Sequence, residues 1–154
     1  MLLLLSGIAV VVLDQAVKYW VVQNISLGSA GKVLIPGVLS LTRVHNDGAA
    51  FSFLSGGNAQ WFFIVLSLVF AAAVVAAVST GFIRDKTEKV CLVMMAAGGL
   101  ANCIDRFLYG YVVDMFRVEL FRFAVFNVAD AFITVFTLLF AAKVLLSDEN
   151  KKKS

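Results

Sequence analysis

The sequence predicts an all-α membrane protein in which four transmembrane helices carry a small β-rich cradle. Three observations predict it. The chain is 61% hydrophobic and 15% charged, with a mean hydropathy of +0.93, whereas a soluble domain is about half apolar and a quarter charged. Four apolar stretches approach the ~20 residues that a bilayer crossing needs. Two of the segments between them are instead rich in β-formers or alternate in hydrophobicity. With spans filling about half of the 154 residues, no separate soluble domain fits, so residues 1–154 are expected to form a single integral membrane domain.

The first span covers about residues 1–22, "MLLLLSGIAVVVLDQAVKYWVV". It lacks a basic start, and Asp14 and Lys18 interrupt it where a cleavable signal would stay apolar, so it is expected to be retained. The second runs over about 59–79, with Trp61 as an interfacial anchor. The third and fourth cover about 90–108 and 128–146. Cys91 and Cys103 share the third span, ~18 Å apart along a helix, too far to pair with each other. Both are expected to be buried small side chains.

Lysine and arginine placement sets the orientation. The short link between spans two and three carries Arg84, Lys86 and Lys89, and the C-terminal end carries Lys143 and Lys151 to Lys153. The much longer connection at about 23–58 carries only Lys32 and Arg43. The positive-inside rule then places both termini in the cytoplasm and the outer loops, about 23–58 and 109–127, on the extracytoplasmic face. In the first outer loop, "VLIPGVLSLTRV" is broken by Pro36-Gly37 and predicts a hairpin or small sheet. In the second, "VVDMFRVEL" alternates, so a strand there directs Asp114 to the side of Phe116 and Val118. That strand either lies on lipid or aims a carboxylate into a cleft.

Ionisable groups inside a membrane usually face the bundle interior and are paired. Asp14 and Lys18 lie four apart on one helical face, the spacing of an ion pair. Asn102, Asp105 and Arg106 fall close to one face of span three, where they either lock helices together or line a polar pocket. Asn127 and Asp130 open span four, and an acid there fits a helix cap. The stretch "HNDGAAF" offers Gly48-Ala49-Ala50 either as a turn or as a close approach for another strand or peptide.

Much chemistry is excluded by inventory. His45 is the single histidine, so multi-histidine metal centres are ruled out within the chain, and no nucleophile motif stands beside it. Phosphate-binding glycine loops are missing. The net charge of +3 comes without a basic patch interleaved with aromatics, so no nucleic acid is expected. Carboxylate chemistry survives. Two close carboxylates do not easily both ionise; the charged one can take a proton from water while the neutral one hydrogen-bonds a carbonyl.

The motifs "DQAVK" at 14–18, "NDGAAF" at 46–51, "GGLANCIDR" at 98–106, "VVDMF" at 112–116 and "FNVADA" at 126–131 together resemble the bacterial lipoprotein signal peptidases, the signal peptidase II family, in the family's order and across all four spans. The resemblance implies a membrane aspartic endopeptidase with Asp114 and Asp130 as its catalytic pair. It further implies that Asn46, Gly48, Asn102, Arg106 and Asn127 surround the substrate or orient the pair, and that Asp14, Lys18 and Asp105 support the site. The implied partners are prolipoproteins carrying a diacylglyceryl-modified cysteine, and membrane lipid. The implied cofactor and metal requirement is none, and the chain is expected to act as a monomer in the bacterial cytoplasmic (inner) membrane. Asp47 stands where the family often has Thr, and Ala101 where Gly is common. Phe51, Phe53 and Met115 are candidates to touch the signal helix or acyl chains.

Two other readings fit intramembrane acids. A proton-coupled small carrier would place them near mid-membrane within pseudo-symmetric halves, but no internal repeat is evident and the acids gather toward one face. A non-catalytic scaffold would use the polar groups as interhelical glue.

Overall fold

The computed structural model describes residues 1–48, 58–121 and 123–152, with backbone only at 58 and over 147–152. Its elements in order are α1 (Leu2–Asn24), β1 (Lys32–Ile35), β2 (Leu39–Asn46), α2 (Asn58–Ser79), α3 (Lys86–Tyr109), β3 (Val112–Val118) and α4 (Val128–Lys152). All four helices are long and apolar enough to cross a membrane. This architecture matches the expected four-helix bundle with a small sheet.

The helices outrun the apolar stretches that predict them. α3 begins at Lys86 rather than near Val90 because Asp85 caps it, its carboxylate accepting from the Glu88 N–H at 3.0 Å. A polar first turn belongs to the helix as long as its free N–H groups are satisfied. The other end of α3 stops at Gly110, which adopts φ 79° and donates its N–H to the Arg106 carbonyl at 3.1 Å. That left-handed residue turns the chain directly into β3.

α3 is the spine. Half of its most apolar stretch is buried, against 6–22% for the other three spans. Val10 of α1 meets Met94 and Ala97 of α3, with Phe132 and Phe136 of α4 alongside. The remaining helix surfaces expose large apolar side chains such as Leu5, Ile8, Phe62, Leu66, Val135 and Leu138. On a soluble protein such patches would drive association; in a bilayer they face lipid.

The sheet is antiparallel in the order β1-β2-β3. β1 and β2 form the hairpin expected around Pro36-Gly37, and β2 pairs with β3 so that Asn46 faces Val112 and Val44 faces Asp114. Val21 and Ile25 at the end of α1 bury against Leu41, Val113 and Met115, fixing the sheet to the bundle. Met115 and Asp114 are both buried, on opposite sides of one strand. This settles the alternative left open by alternation: the Asp114 carboxylate points inward, not onto lipid.

Where α3 presses on the start of α4, Gly98 leaves no room for a side chain. A Cβ there would sit 2.8 Å from the Ala129 carbonyl oxygen and 2.8 Å from Ile133 Cγ1. Alanine gains ~1 kcal/mol over glycine in helix propensity, but a clash with fixed backbone costs ~1–3 kcal/mol and prevails. Gly98→Ala is therefore expected to lower the thermal unfolding temperature in detergent; an unchanged temperature would contradict this packing.

Candidate active site

The first turn of α4 organises the site. Asn127 stands just before the helix, and its side-chain oxygen accepts from the Asp130 N–H at 2.8 Å, while the Asp130 carboxylate accepts from the Asn127 N–H at 3.3 Å. This is a reciprocal cap built from Asn and Asp. The capping role expected of Asp130 is thus real, but it occupies only Oδ2; Oδ1 accepts from the Asn102 amide of α3 at 2.7 Å.

Because the Asn127 oxygen is committed to the cap, its NH2 must point the other way. It donates to Asp114 Oδ1 at 2.7 Å and to Asn102 Oδ1 at 3.1 Å. Asp114 Oδ2 accepts from the Asn46 amide of β2 at 2.9 Å. Asn46 is oriented in turn by Gly48, whose N–H donates to the Asn46 side-chain oxygen at 3.0 Å, in a turn where Gly48 adopts φ 82°. Asn46, Gly48, Asn102, Asn127, Asp114 and Asp130 therefore form one connected set. Ala49, Ala50, Phe51 and Phe53 lie outside the described residues, and Met115 faces the sheet–α1 cluster.

Behind this set lies a second, charged one. Lys18 Nζ contacts Asp14 Oδ2 at 2.8 Å, Asp105 Oδ2 at 2.9 Å and Asn102 Oδ1 at 2.9 Å. Asp14 Oδ1 also accepts from the Ala129 N–H at 2.8 Å, and Asp105 Oδ2 from the Val113 N–H at 3.1 Å. The ion pair expected between Asp14 and Lys18 is present, and it reaches the two segments that bear Asp130 and Asp114.

The trio Asn102, Asp105 and Arg106 divides. Asn102 and Asp105 join the buried network, whereas Arg106 lays its guanidinium over the Phe63 ring, 4.8 Å from the centroid, and donates to the Asn102 carbonyl at 3.4 Å. Among the described residues Arg106 makes no hydrogen bond to either acid, although its charge is close enough to interact with both. Gln15 carries no sequence assignment, yet its amide donates to Asp105 Oδ1 at 2.8 Å and to the Ala101 carbonyl at 3.2 Å. The signal was present: an amide beside Asp14 within an apolar span. Ala101 itself is fully buried.

Burial dominates the electrostatics of Asp114. Asp114 is 1% exposed, and burial, reinforced by the Asp130 charge, pushes its carboxyl up from 3.8 to about 6 despite donors from Asn46 and Asn127 and the nearby Lys18. His45 stacks on Tyr111 at 3.8 Å between ring centroids, and burial with the Arg43 charge lowers its pKa, so the imidazole is neutral at pH 7. Among the described residues no three His, Cys, Asp or Glu side chains are grouped to hold a metal ion.

Compared with known families, residues 7–146 match the model of signal peptidase (SPase) II. The chain belongs to the signal peptidase II family. It is 40% identical over 138 residues to the lipoprotein signal peptidases of Streptococcus pyogenes serotypes M2 and M5, covering 90% of this chain and 89% of each relative. Two solved structures, described as bacterial membrane enzymes obtained by the in meso method at 2.3 Å and 1.9 Å resolution, share its fold. Both are 32% identical; the first has a TM-score of 0.84 over 99% of this chain and 92% of its own, the second 0.81 over 93% and 92%. Signal peptidase II membership makes the chain a protease of lipoprotein processing in a multi-pass membrane fold. The carrier and scaffold readings give way to it.

The raised Asp114 carboxyl has a consequence for stability in this signal peptidase II member. Between pH 3.8 and about 6 the folded protein holds a proton that the unfolded chain has released, so stability falls as pH rises through that window. The loss is at most ~3 kcal/mol. Asp114→Asn is expected to remove this slope in thermal unfolding across pH 4–8; an identical slope in wild type and variant would contradict it.

Proposed function

We propose that this signal peptidase II member removes signal peptides from prolipoproteins with Asp114 and Asp130 as a water-activating pair, cleaving before a diacylglyceryl-modified cysteine. The observation that carries the reading is the amide pair Asn127–Asn102, whose donors hold Asp114 at one end and Asp130 at the other. Acids tied to one rigid hydrogen-bonded unit are placed to act on one scissile bond.

Their unequal surroundings suggest the division of labour. Asp114, fully buried and raised to about 6, holds the shared proton and donates a hydrogen bond to the scissile carbonyl. Asp130, less buried, takes a proton from the attacking water. Water oxygen bonds to the carbonyl carbon, giving a tetrahedral intermediate. The carbon–nitrogen bond then breaks as the proton on Asp130 passes to the cysteine nitrogen. The products are the signal peptide's new carboxylic acid, which releases its proton to water, and a lipid-bearing cysteine with a free amine. Neither metal nor organic cofactor takes part, and a single chain supplies every group.

Membrane placement supplies the rest. With both termini in the cytoplasm, the sheet and both acids lie at the extracytoplasmic face of the cytoplasmic membrane. A lipidated substrate stays in the bilayer, so only its cleavage point must meet water, which removes much of the orientational cost of encounter. Arg106, stacked on Phe63 and free of direct bonds to the acids, faces the substrate, and Asn46 and Gly48 border its path.

Purified Asp114→Asn and Asp130→Asn proteins are expected to cleave a diacylglyceryl-modified prolipoprotein peptide at least ~100-fold more slowly while keeping wild-type helix content by circular dichroism. Full processing by either variant would overturn the assigned pair.

A further inference from the structure

We propose that Lys18 is a positioning residue whose ammonium fixes which way the Asn102 amide faces, and thereby keeps the Asn102 NH2 on the Asp130 carboxylate. The inference rests on the Asp114–Asp130 reading above and deepens it.

A lysine ammonium has three N–H donors and no acceptor. All three are used here, on Asp14 Oδ2, Asp105 Oδ2 and Asn102 Oδ1 at 2.8–2.9 Å. The Asn102 oxygen also accepts from Asn127 Nδ2. Turning the Asn102 amide over would set its NH2 against two donors and its oxygen against the Asp130 carboxylate, losing three bonds together. The NH2 is therefore held on Asp130 Oδ1. The lock therefore keeps a donor on the carboxylate proposed to take the proton from water.

The lock is anchored where it acts. Asp14 grips the Ala129 N–H in the first turn of α4, and Asp105 grips the Val113 N–H next to Asp114. Lys18 thus sits at a fixed position relative to both acids without a direct bond to either. The charged groups facing it and the pair are Asp14 on α1, Asp105 and Arg106 on α3, Asp114 on β3 and Asp130 on α4. Tyr19, Tyr109 and Tyr111 line the cavity that Lys18 borders.

The test is the pH profile of peptide cleavage by Lys18→Met. Its kcat/KM should show an acidic limb about one unit higher than wild type. Its kcat should fall ~10-fold or more, with KM within about threefold. Loss of the ammonium charge alone would move the limb in the same direction, and it strands two buried acids. The double variant Lys18→Met/Asp105→Asn removes one charge of each sign and leaves the local net charge unchanged. The raised limb is expected to persist in it. A double variant with the wild-type limb, or one losing activity only in proportion to its unfolded fraction, would overturn the role. Should turnover fall below detection, the Asn102 side-chain NH2 resonance decides: displacement supports the lock, and an unmoved resonance overturns it. An active Asp130→Asn protein would instead bring down the pair itself, so the two failures are separable.

Discussion

The structure depends on one planar side chain, the amide of Asn127. Its oxygen closes the cap of α4, and its nitrogen reaches both Asp114 and Asn102. An amide has one accepting and one donating end, so satisfying the helix cap forces the donor toward the acids. Asn127 is fully buried, so a lost partner would leave a polar group unsatisfied. The cap, the approach of α4 to α3 and the placement of both carboxylates are a single constraint.

That constraint explains why so small a sheet is present. Asp114 belongs to none of the helices, and a flexible loop would not hold a buried carboxylate steady. β3 gives it a fixed direction, β2 adds the Asn46 donor, and the apolar cluster of Val21, Ile25, Leu41, Val113 and Met115 fastens both strands to α1. Charge is then handled in a second layer. Asp14 and Asp105 are affordable inside the bundle because each carboxylate is bound both by Lys18 and by a backbone N–H, the condition under which a buried ion pair is tolerated.

What was legible in the sequence was local. Four apolar runs gave four helices, Pro36-Gly37 gave the hairpin, and the i, i+4 spacing of Asp14 and Lys18 gave an ion pair, because these follow from helix and strand periods alone. The same rule overreached at Asn102, Asp105 and Arg106. Neighbours on one face still meet different partners when another helix packs against its edge, and Arg106 turned to Phe63. The α3 boundary moved because a single cap, Asp85, outweighs several polar residues. The contacts that make the site span 13 positions between Asn127 and Asp114, 84 between Lys18 and Asn102, and 115 between Asp14 and Ala129. No periodicity encodes these. Motif resemblance gathered residues that the structure brings together without giving their wiring, and it left Gln15 unassigned although it braces Asp105.

The proposed function rests on two carboxyls sharing one hydrogen. Counting protons directly, by carbon-13 NMR of labelled aspartate carboxyls in lipid nanodiscs, addresses that most closely. One proton per Asp114–Asp130 pair is expected just below about pH 6, released and taken up in coupled steps that collapse to a single step when either residue is replaced by asparagine. Two carboxyls titrating independently, each indifferent to loss of the other, would contradict it.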